Sequence, residues 1–240
     1  MKKRLDVLLV ERGLAQSRAQ AQALVMAGLV PGYDKPGHQV AEDAELSVKQ
    51  GPAYVSRGGT KLANALDALG VDPAGLDAID VGASTGGFTD VLLQRGAAKV
   101  FAIDVGTNQL AWKLRQDPRV VVHEGVNARY LTRAGIPEPI DLITCDASFI
   151  GLATVLPAPL ALAAANAELI ALVKPQFEAG RERVGKGGVV RDAAVQREVC
   201  ERAAAWVAAQ PGWAVIGIVE SPILGPEGNR EFLLYARLGI

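Results

Sequence analysis

Short apolar runs alternate along the chain with segments whose apolar positions recur at helical spacing. The runs predict strands at 77–81, 99–103, 119–122, 140–145, 168–173, 213–219 and 232–237. The segments between them predict helices at 87–95, 106–116, 151–164 and 192–209. Strands that alternate with helices predict a seven-stranded, mostly parallel α/β sheet, which binds ligands beyond the carboxyl ends of its strands.

Residues 1–49 read as a separate, small α+β unit of two helices on a short sheet. Apolar residues at helical spacing predict the helices: Leu5, Leu8 and Leu9, then Ala19, Ala23, Leu24 and Ala27. Ser17 and Gly28 are suitable caps for the second helix, and a strand is expected near 45–48. Gly and Pro in residues 50–56 predict a linker, so that the larger domain spans 57–240.

A glycine-rich turn follows the strand at 77–81 and leads into a helix. A strand, tight turn and helix N-terminus form a nucleotide-type binding corner, and Gly82, Gly86 and Gly87 leave room for a ligand near the backbone. Asp104 follows the next strand at about the 20-residue offset of an acid that binds a ribose diol. The turn lacks the G-x-G-x-x-G spacing of dinucleotide sites, and residues 57–62 lack the G-x-x-x-x-G-K-[ST] loop of nucleoside triphosphatases.

Residues 82–86 also fit the G-x-S-x-G elbow of serine hydrolases, with Ser84 as the nucleophile. That chemistry needs a histidine base. The two histidines are His38, which precedes the serine, and His123, which follows it closely. The hydrolase stays open as an alternative at this point.

Composition limits the partners and the compartment. The 240 residues are 50% hydrophobic and carry a net charge of −1, so any nucleic-acid surface must be local. Cys145 and Cys200 have no metal or disulfide spacing, which predicts a reducing cytoplasm and no bound metal. No signal region or apolar run of membrane-spanning length is evident, and no membrane partner is expected.

The first unit carries a specific motif. The pattern R-L-D-x-x-L-x-E-R-G-L-x-x-S-R-x-x-A-x-x-L-V-x-x-G-x-V covers most of residues 4–48 and resembles the small RNA-binding domain of ribosomal small-subunit protein four, the S4 domain. The resemblance implies RNA contacts by Lys3, Arg4, Arg12, Ser17 and Arg18.

Nearly the whole chain resembles the TlyA family, also called hemolysin A, which joins an S4 domain to an FtsJ-like methyltransferase domain. The matching segments are 54–62, 80–90, 146–150, 172–178 and 228–232. The resemblance implies a Rossmann-like fold and S-adenosylmethionine-dependent methylation of ribose 2′-hydroxyls in ribosomal RNA. It places the family's catalytic lysine–aspartate–lysine–glutamate set on Lys61, Asp146, Lys174 and Glu231.

The remaining site residues are expected from the glycine turn, the strand ends and the charge of the loops. The expected cofactor residues are Asp80, Gly82, Ser84, Gly86, Gly87, Phe88, Asp104, Asn127 and Ala128. Further RNA contacts are expected from Arg57 and from Arg181, Arg183 and Lys186 in a glycine-rich loop. Cytidine in either ribosomal subunit is the implied target. A non-catalytic RNA-binding or ribosome-assembly protein and a membrane-lytic protein remain the alternatives.

Overall fold

The computed structural model describes residues 1–49 and 51–239, which form two compact units. The first unit comprises Met1–Ala53 and the second Tyr54–Ile240. Each unit has its own hydrophobic core, and each is described by itself.

The first unit packs two helices, α1 (Leu5–Glu11) and α2 (Arg18–Met26), beside a two-stranded antiparallel sheet. The strands are β1 (Lys2–Arg4) and β2 (Gln39–Ala41), paired so that Lys3 faces Val40. The predicted cap of α2 is confirmed, because the Ser17 side chain accepts a hydrogen bond from the Gln20 amide at 3.2 Å.

Two predictions for this unit are wrong. No strand forms at 45–48, because the backbone of β1 pairs with 39–41 instead, which buries Val40 in the core. The predicted apolar face of α2 is also misplaced. Ala21 and Val25 are buried against the core, whereas Ala19 and Ala23 are exposed.

The second unit alternates strands and helices. Its strands are β3 (Asp77–Val81), β4 (Lys99–Asp104), β5 (Val120–Glu124), β6 (Ile140–Cys145), β7 (Ala163–Val173), β8 (Trp213–Glu220) and β9 (Phe232–Leu238). Its helices are α3 (Arg57–Leu69), α4 (Gly87–Gln94), α5 (Trp112–Arg115), α6 (Leu152–Val155), α7 (Pro157–Leu160), α8 (Pro175–Glu178) and α9 (Ala193–Ala208). Short 3₁₀ turns cover 128–130, 181–183 and 226–228.

The strands of the second unit form one sheet, seven-stranded within the described residues, in the order β5-β4-β3-β6-β7-β9-β8. The first five strands are parallel, and β9 lies antiparallel to both β7 and β8. Alternate residues of the central strands face opposite cores: Ile79 and Val81 lie in one cluster and Ala78 in the other. The predicted mostly parallel α/β fold is confirmed.

Two predicted helices are shorter than expected. The helix expected at 106–116 is reduced to α5, because the Glu124 carboxylate accepts the amides of Asn108, Gln109 and Leu110 and holds that segment as a loop. The helix expected at 151–164 is replaced by α6 and α7, separated at Pro157, whose nitrogen cannot donate to a helical carbonyl. Strand β7 then begins five residues earlier than the predicted 168.

The Asp80 carboxylate, inside β3, fixes the start of α4. It is fully buried, and its Oδ2 accepts from the Thr89 amide at 2.9 Å and from Thr89 Oγ1 at 2.7 Å. Thr144 Oγ1 of neighbouring β6 lies 3.4 Å from Oδ1. Burial raises the pKa of Asp80 to about 7 because desolvation outweighs these hydrogen bonds.

Replacing Gly87 by alanine should destabilise the second unit. An added Cβ would lie 2.2 Å from Ser56 Oγ and 2.9 Å from the Gly59 nitrogen, where α4 packs on α3. We expect urea denaturation to show a loss of about 1–3 kcal/mol in the free energy of unfolding. Gly135→Ala is the matched control, since its nearest neighbour would be 3.7 Å away. Equal stability of the two variants would contradict this packing.

The raised pKa of Asp80 makes folding pH-dependent. Between about pH 4 and pH 7 the unfolded chain has ionised this carboxyl while the folded chain keeps it protonated, so stability falls as pH rises. Asp80→Asn removes this loss. Unfolding measured at pH 5 and pH 8 should therefore show the variant gaining roughly 2–3 kcal/mol relative to wild type at the higher pH. A stability difference independent of pH would refute the shifted pKa.

Candidate functional site

A cavity of about 590 Å³ opens at the carboxyl ends of β3, β6 and β7, a volume within the usual range of ligand sites. It brings together the four residues to which the resemblance assigned catalysis: Lys61, Asp146, Lys174 and Glu231. The glycine turn forms another wall. The predicted cofactor and RNA residues that line the cavity are Gly82, Ser84, Gly87, Phe88 and Arg57.

Lys61 and Glu231 form a buried ion pair in this cavity. Lys61 comes from the first turns of α3 and Glu231 immediately precedes β9, and their Nζ and Oε2 atoms lie 2.5 Å apart. Lys61 is 7% exposed and Glu231 1% exposed. The second carboxylate oxygen, Oε1, is buried and has no hydrogen-bond partner within residues 1–49 and 51–239. The ion pair with Lys61 therefore satisfies only one of the two carboxylate oxygens.

Lys174 and Asp146 form a second ion pair. Each follows a strand directly, Asp146 after β6 and Lys174 after β7, and Nζ lies 2.6 Å from Oδ1. Lys174 Nζ also donates to Ser148 Oγ at 2.8 Å and to the Asp146 carbonyl at 3.3 Å. The Phe177 ring centre is 5.9 Å from Nζ. These contacts aim the ammonium group at the loop that follows β6.

At the three glycines of the turn, other residues of the protein fill the space that a Cβ would occupy. A Cβ on Gly82 would meet the backbone of Ala147 at 3.0 Å, and one on Gly86 would meet Leu114 at 2.3 Å. The space beside Gly87 is taken by Ser56 and Gly59. The expectation that missing Cβ atoms leave space for a ligand is corrected accordingly, although the backbone of Gly82 and Gly87 still lines the cavity.

Five predicted cofactor residues lie outside the residues that line the cavity: Asp80, Gly86, Asp104, Asn127 and Ala128. Asp80 and Ala128 are buried. Asp104 ends β4 and accepts the amides of Ser84 and Gly106, both at 2.7 Å, so it fixes the glycine turn against the loop after β4.

Asn127 stands after β5, where its Oδ1 accepts the Arg129 amide at 3.1 Å. The side chain is thus engaged in starting the 3₁₀ turn at 128–130. Strands β4 and β3 lie between β5 and β6 in the sheet, and Asn127 is not among the residues that line the cavity with the two lysine–carboxylate pairs.

Several residues that line the cavity were not predicted: Ser56, Ser148, Phe149, Gln176, Phe177 and Glu227. Phe149 is 89% exposed, adopts a φ of +64°, and lies 4.9 Å from Phe177 between ring centres. An exposed aromatic in a left-handed conformation is unusual. Its position just after Asp146 at a strand end was the signal that could have identified it.

The predicted RNA contacts of the first unit are largely engaged within that unit. Asp6 is fully buried and pairs with Arg4 at 3.0 Å and Arg18 at 3.1 Å, and these arginines hold the pKa of that carboxyl well below its usual range. Their side chains are still about half exposed, so each guanidinium keeps a free edge. Lys3 pairs with Glu11 at 2.8 Å.

The other predicted RNA contacts differ in whether their side chains already have partners within the protein. Arg12 donates to the carbonyls of Glu42 and Ala44. Arg183 pairs with Glu198 at 2.6 Å, whereas Arg181 and Lys186 are exposed and have no ion-pair partner in the part of the chain that is described.

The serine-hydrolase alternative finds no support in the geometry. Ser84 Oγ hydrogen-bonds to Gln109 Oε1 at 3.2 Å. His123 Nε2 is buried on β5 without a hydrogen-bond partner among the described atoms. A nucleophilic serine needs its histidine within hydrogen-bond reach, and that pair is missing from the described residues.

Comparison with known proteins agrees with this geometry. Residues 54–238 match the FtsJ-like methyltransferase family, and residues 3–30 match the S4 domain. The chain is 50% identical over 242 residues to the protein named 16S/23S rRNA (cytidine-2′-O)-methyltransferase TlyA from Mycobacterium tuberculosis, covering 98% of this chain and 89% of the relative.

Solved structures agree as well. A structure described as a candidate hemolysin from Streptococcus thermophilus is 46% identical, with a TM-score of 0.76 and coverage of 99% of this chain and 89% of that one. An O-methyltransferase from Bacillus cereus, 19% identical with a TM-score of 0.53 over 77% of this chain and 83% of its own, shares the fold. The chain is therefore a member of the TlyA/hemolysin A family, with an S4 domain followed by an FtsJ-like methyltransferase domain.

Proposed function

We propose that this protein transfers a methyl group from S-adenosylmethionine to the 2′-hydroxyl of a ribose in ribosomal RNA. The observation that carries the proposal is the convergence of two ion pairs, Lys61–Glu231 and Lys174–Asp146, in the cavity beside the glycine turn. Holding two ammonium groups nearly buried costs free energy, and charged groups held in this way are concentrated at functional sites.

The cavity fits such a cofactor. Residues from Gly82 to Thr85 and the start of α4 line one wall, where the helix N-terminus favours an electronegative group of a ligand. When bound, S-adenosylmethionine supplies a methyl group attached to a positively charged sulfur. We assign Gly82, Ser84, Gly87 and Phe88 to direct contact, and Asp80, Gly86 and Asp104 to shaping the turn that makes it.

A ribose hydroxyl is a weak nucleophile near neutral pH, so its proton must be removed or polarised while its oxygen is held in line with the methyl group. Lys174 Nζ is the group that acts on this proton: as an ammonium it polarises the hydroxyl, and it takes the proton only after it has released one of its own to solvent. Asp146 balances the charge of Nζ across the 2.6 Å contact, and Glu231 holds Lys61 across 2.5 Å in the same cavity, where Lys61 contacts the target ribose.

RNA recognition is divided between the two units. Arg4 and Arg18, fixed by Asp6, offer phosphate-binding edges in the S4 domain, and Ser17 supports them by starting α2. Lys3 and Arg12 stay candidates that would exchange an internal partner for a phosphate. In the second unit, Arg57 at the cavity and Arg181, Arg183 and Lys186 beside it form the matching surface.

The TlyA relative's name specifies cytidine in 16S and 23S RNA, and we propose cytidine as the target here, in the cytoplasm where ribosomes assemble. For the membrane-lytic alternative, none of the described helices is long and apolar enough to cross a bilayer. A non-catalytic RNA-binding role does not explain why two lysine–carboxylate pairs are buried in one cavity.

Lys174→Ala should abolish methyl transfer without loss of cofactor affinity. We expect the rate of label transfer from S-adenosylmethionine to ribosomal subunits to fall by at least about 100-fold. Calorimetry should give a cofactor Kd within about twofold of wild type, because Nζ acts on the hydroxyl. Lys99→Ala is the matched control, since Lys99 is also ion-paired, to Glu138 at 2.5 Å, at the amino end of β4. Unchanged turnover in Lys174→Ala would exclude Lys174 as the group that activates the hydroxyl.

Arg181→Glu should weaken RNA binding. A charge reversal at a phosphate contact raises Kd at low salt, here by about 3- to 10-fold, and lowers the slope of log Kd against log salt by about one. Arg197→Glu, an exposed position on α9, makes the same change in net charge and serves as the control. Equal affinities of the two variants for ribosomal subunits would remove the loop from the RNA surface.

A further inference from the structure

Ser148 gives Lys174 its shortest hydrogen bond. Nζ donates to Ser148 Oγ at 2.8 Å and to the Asp146 carbonyl at 3.3 Å. The Asp146 Oδ1 atom, although only 2.6 Å from Nζ, lies outside hydrogen-bond geometry and has no hydrogen-bond partner among the described residues. Asp146 therefore balances the positive charge of Lys174, and the hydrogen bond to Ser148 fixes the direction of Nζ.

Ser148 is also accessible from the cavity. Lys174 is only 7% exposed, whereas Ser148 is an exposed residue that lines the cavity wall. A serine hydroxyl has one proton to donate and two lone pairs. Accepting from Lys174 uses one lone pair, so the proton and the other lone pair remain available to a hydroxyl of a bound ribose.

The loop that carries Ser148 is fixed at both ends. The Asp146 amide donates to the Val81 carbonyl at 2.9 Å, and the Leu152 amide donates to Glu178 Oε1 at 2.7 Å. Glu178 belongs to α8, which follows Lys174 directly, so the same contact joins the two strand ends. The hydroxyl of Ser148 is thus presented from a preorganised loop.

We propose that Ser148 is a positioning residue for methyl transfer: it holds Lys174 Nζ toward the cavity and receives the target ribose hydroxyl beside it. The inference rests on the proposed ribose methylation and adds a residue to which the resemblance assigned no role. The target oxygen then lies within hydrogen-bond reach of both Ser148 Oγ and Lys174 Nζ.

The test measures steady-state methyl transfer to ribosomal subunits together with cofactor binding. Ser148→Ala should lower kcat by about 10- to 100-fold, because one hydrogen bond to a charged group is lost at the reacting centre. The cofactor Kd and the KM for the subunits should stay within about threefold of wild type. Ser148→Thr keeps the hydroxyl and should recover most of kcat.

Thr154→Ala is the matched control, because it removes a hydroxyl from the exposed side of α6, just beyond the same loop. It should behave as wild type. A wild-type kcat in Ser148→Ala would overturn the proposal, and so would an equal loss in the alanine and threonine variants accompanied by weaker cofactor binding. Inactivity of the wild-type protein itself would instead refute the proposed function.

Discussion

Two ammonium groups lie nearly buried in one cavity, and each is tolerated there only because a carboxylate stands within ion-pair distance. Lys61 and Lys174 are each 7% exposed, with Glu231 and Asp146 as their partners at 2.5 and 2.6 Å. Breaking such a pair by removing one partner leaves an uncompensated charge and typically costs about 3–5 kcal/mol. The rest of the second unit is arranged to hold these four groups in place.

The arrangement follows from parallel strands whose carboxyl ends meet at one edge of the sheet. β6 delivers Asp146, and neighbouring β7 delivers Lys174 beside it. β9 runs antiparallel to β7, so the residue before its start, Glu231, arrives at that same edge. α3 then supplies Lys61, and the close approach of Gly87 to Ser56 and Gly59 keeps α3 against α4.

Apolar patterning predicted the central strands well, and the bounds of β3 and β6 agree with the predicted 77–81 and 140–145. Those strands are buried on both faces, which makes their apolar runs unambiguous. The apolar pattern gave a wrong prediction where a side chain that is distant in sequence determines the backbone conformation. The Glu124 carboxylate organises residues 108–110 from another strand, and no local signal in 106–116 reveals it.

The candidate site was likewise predicted only in part from the sequence. The four charged residues were predicted through motifs, and three of them, Asp146, Lys174 and Glu231, could also be suspected because they lie next to a strand end. Ser148 and Phe149 went unassigned because a serine and a phenylalanine in a loop are chemically ordinary until Nζ of Lys174 is seen 2.8 Å from the serine oxygen. The glycines were predicted correctly as a tight turn, but the groups that fill the space beside them come from residues 56–59, 114 and 147, which lie far away in sequence.

The most direct test of the central claim is to locate the transferred methyl group. Ribosomal subunits methylated by the wild-type protein with labelled S-adenosylmethionine would be stripped of protein, and the RNA hydrolysed in alkali. A methyl group on a ribose 2′-oxygen blocks cleavage at that nucleotide, so the label should remain in an alkali-resistant dinucleotide. Label recovered in single nucleotides would mean that a base had been methylated and would contradict the account.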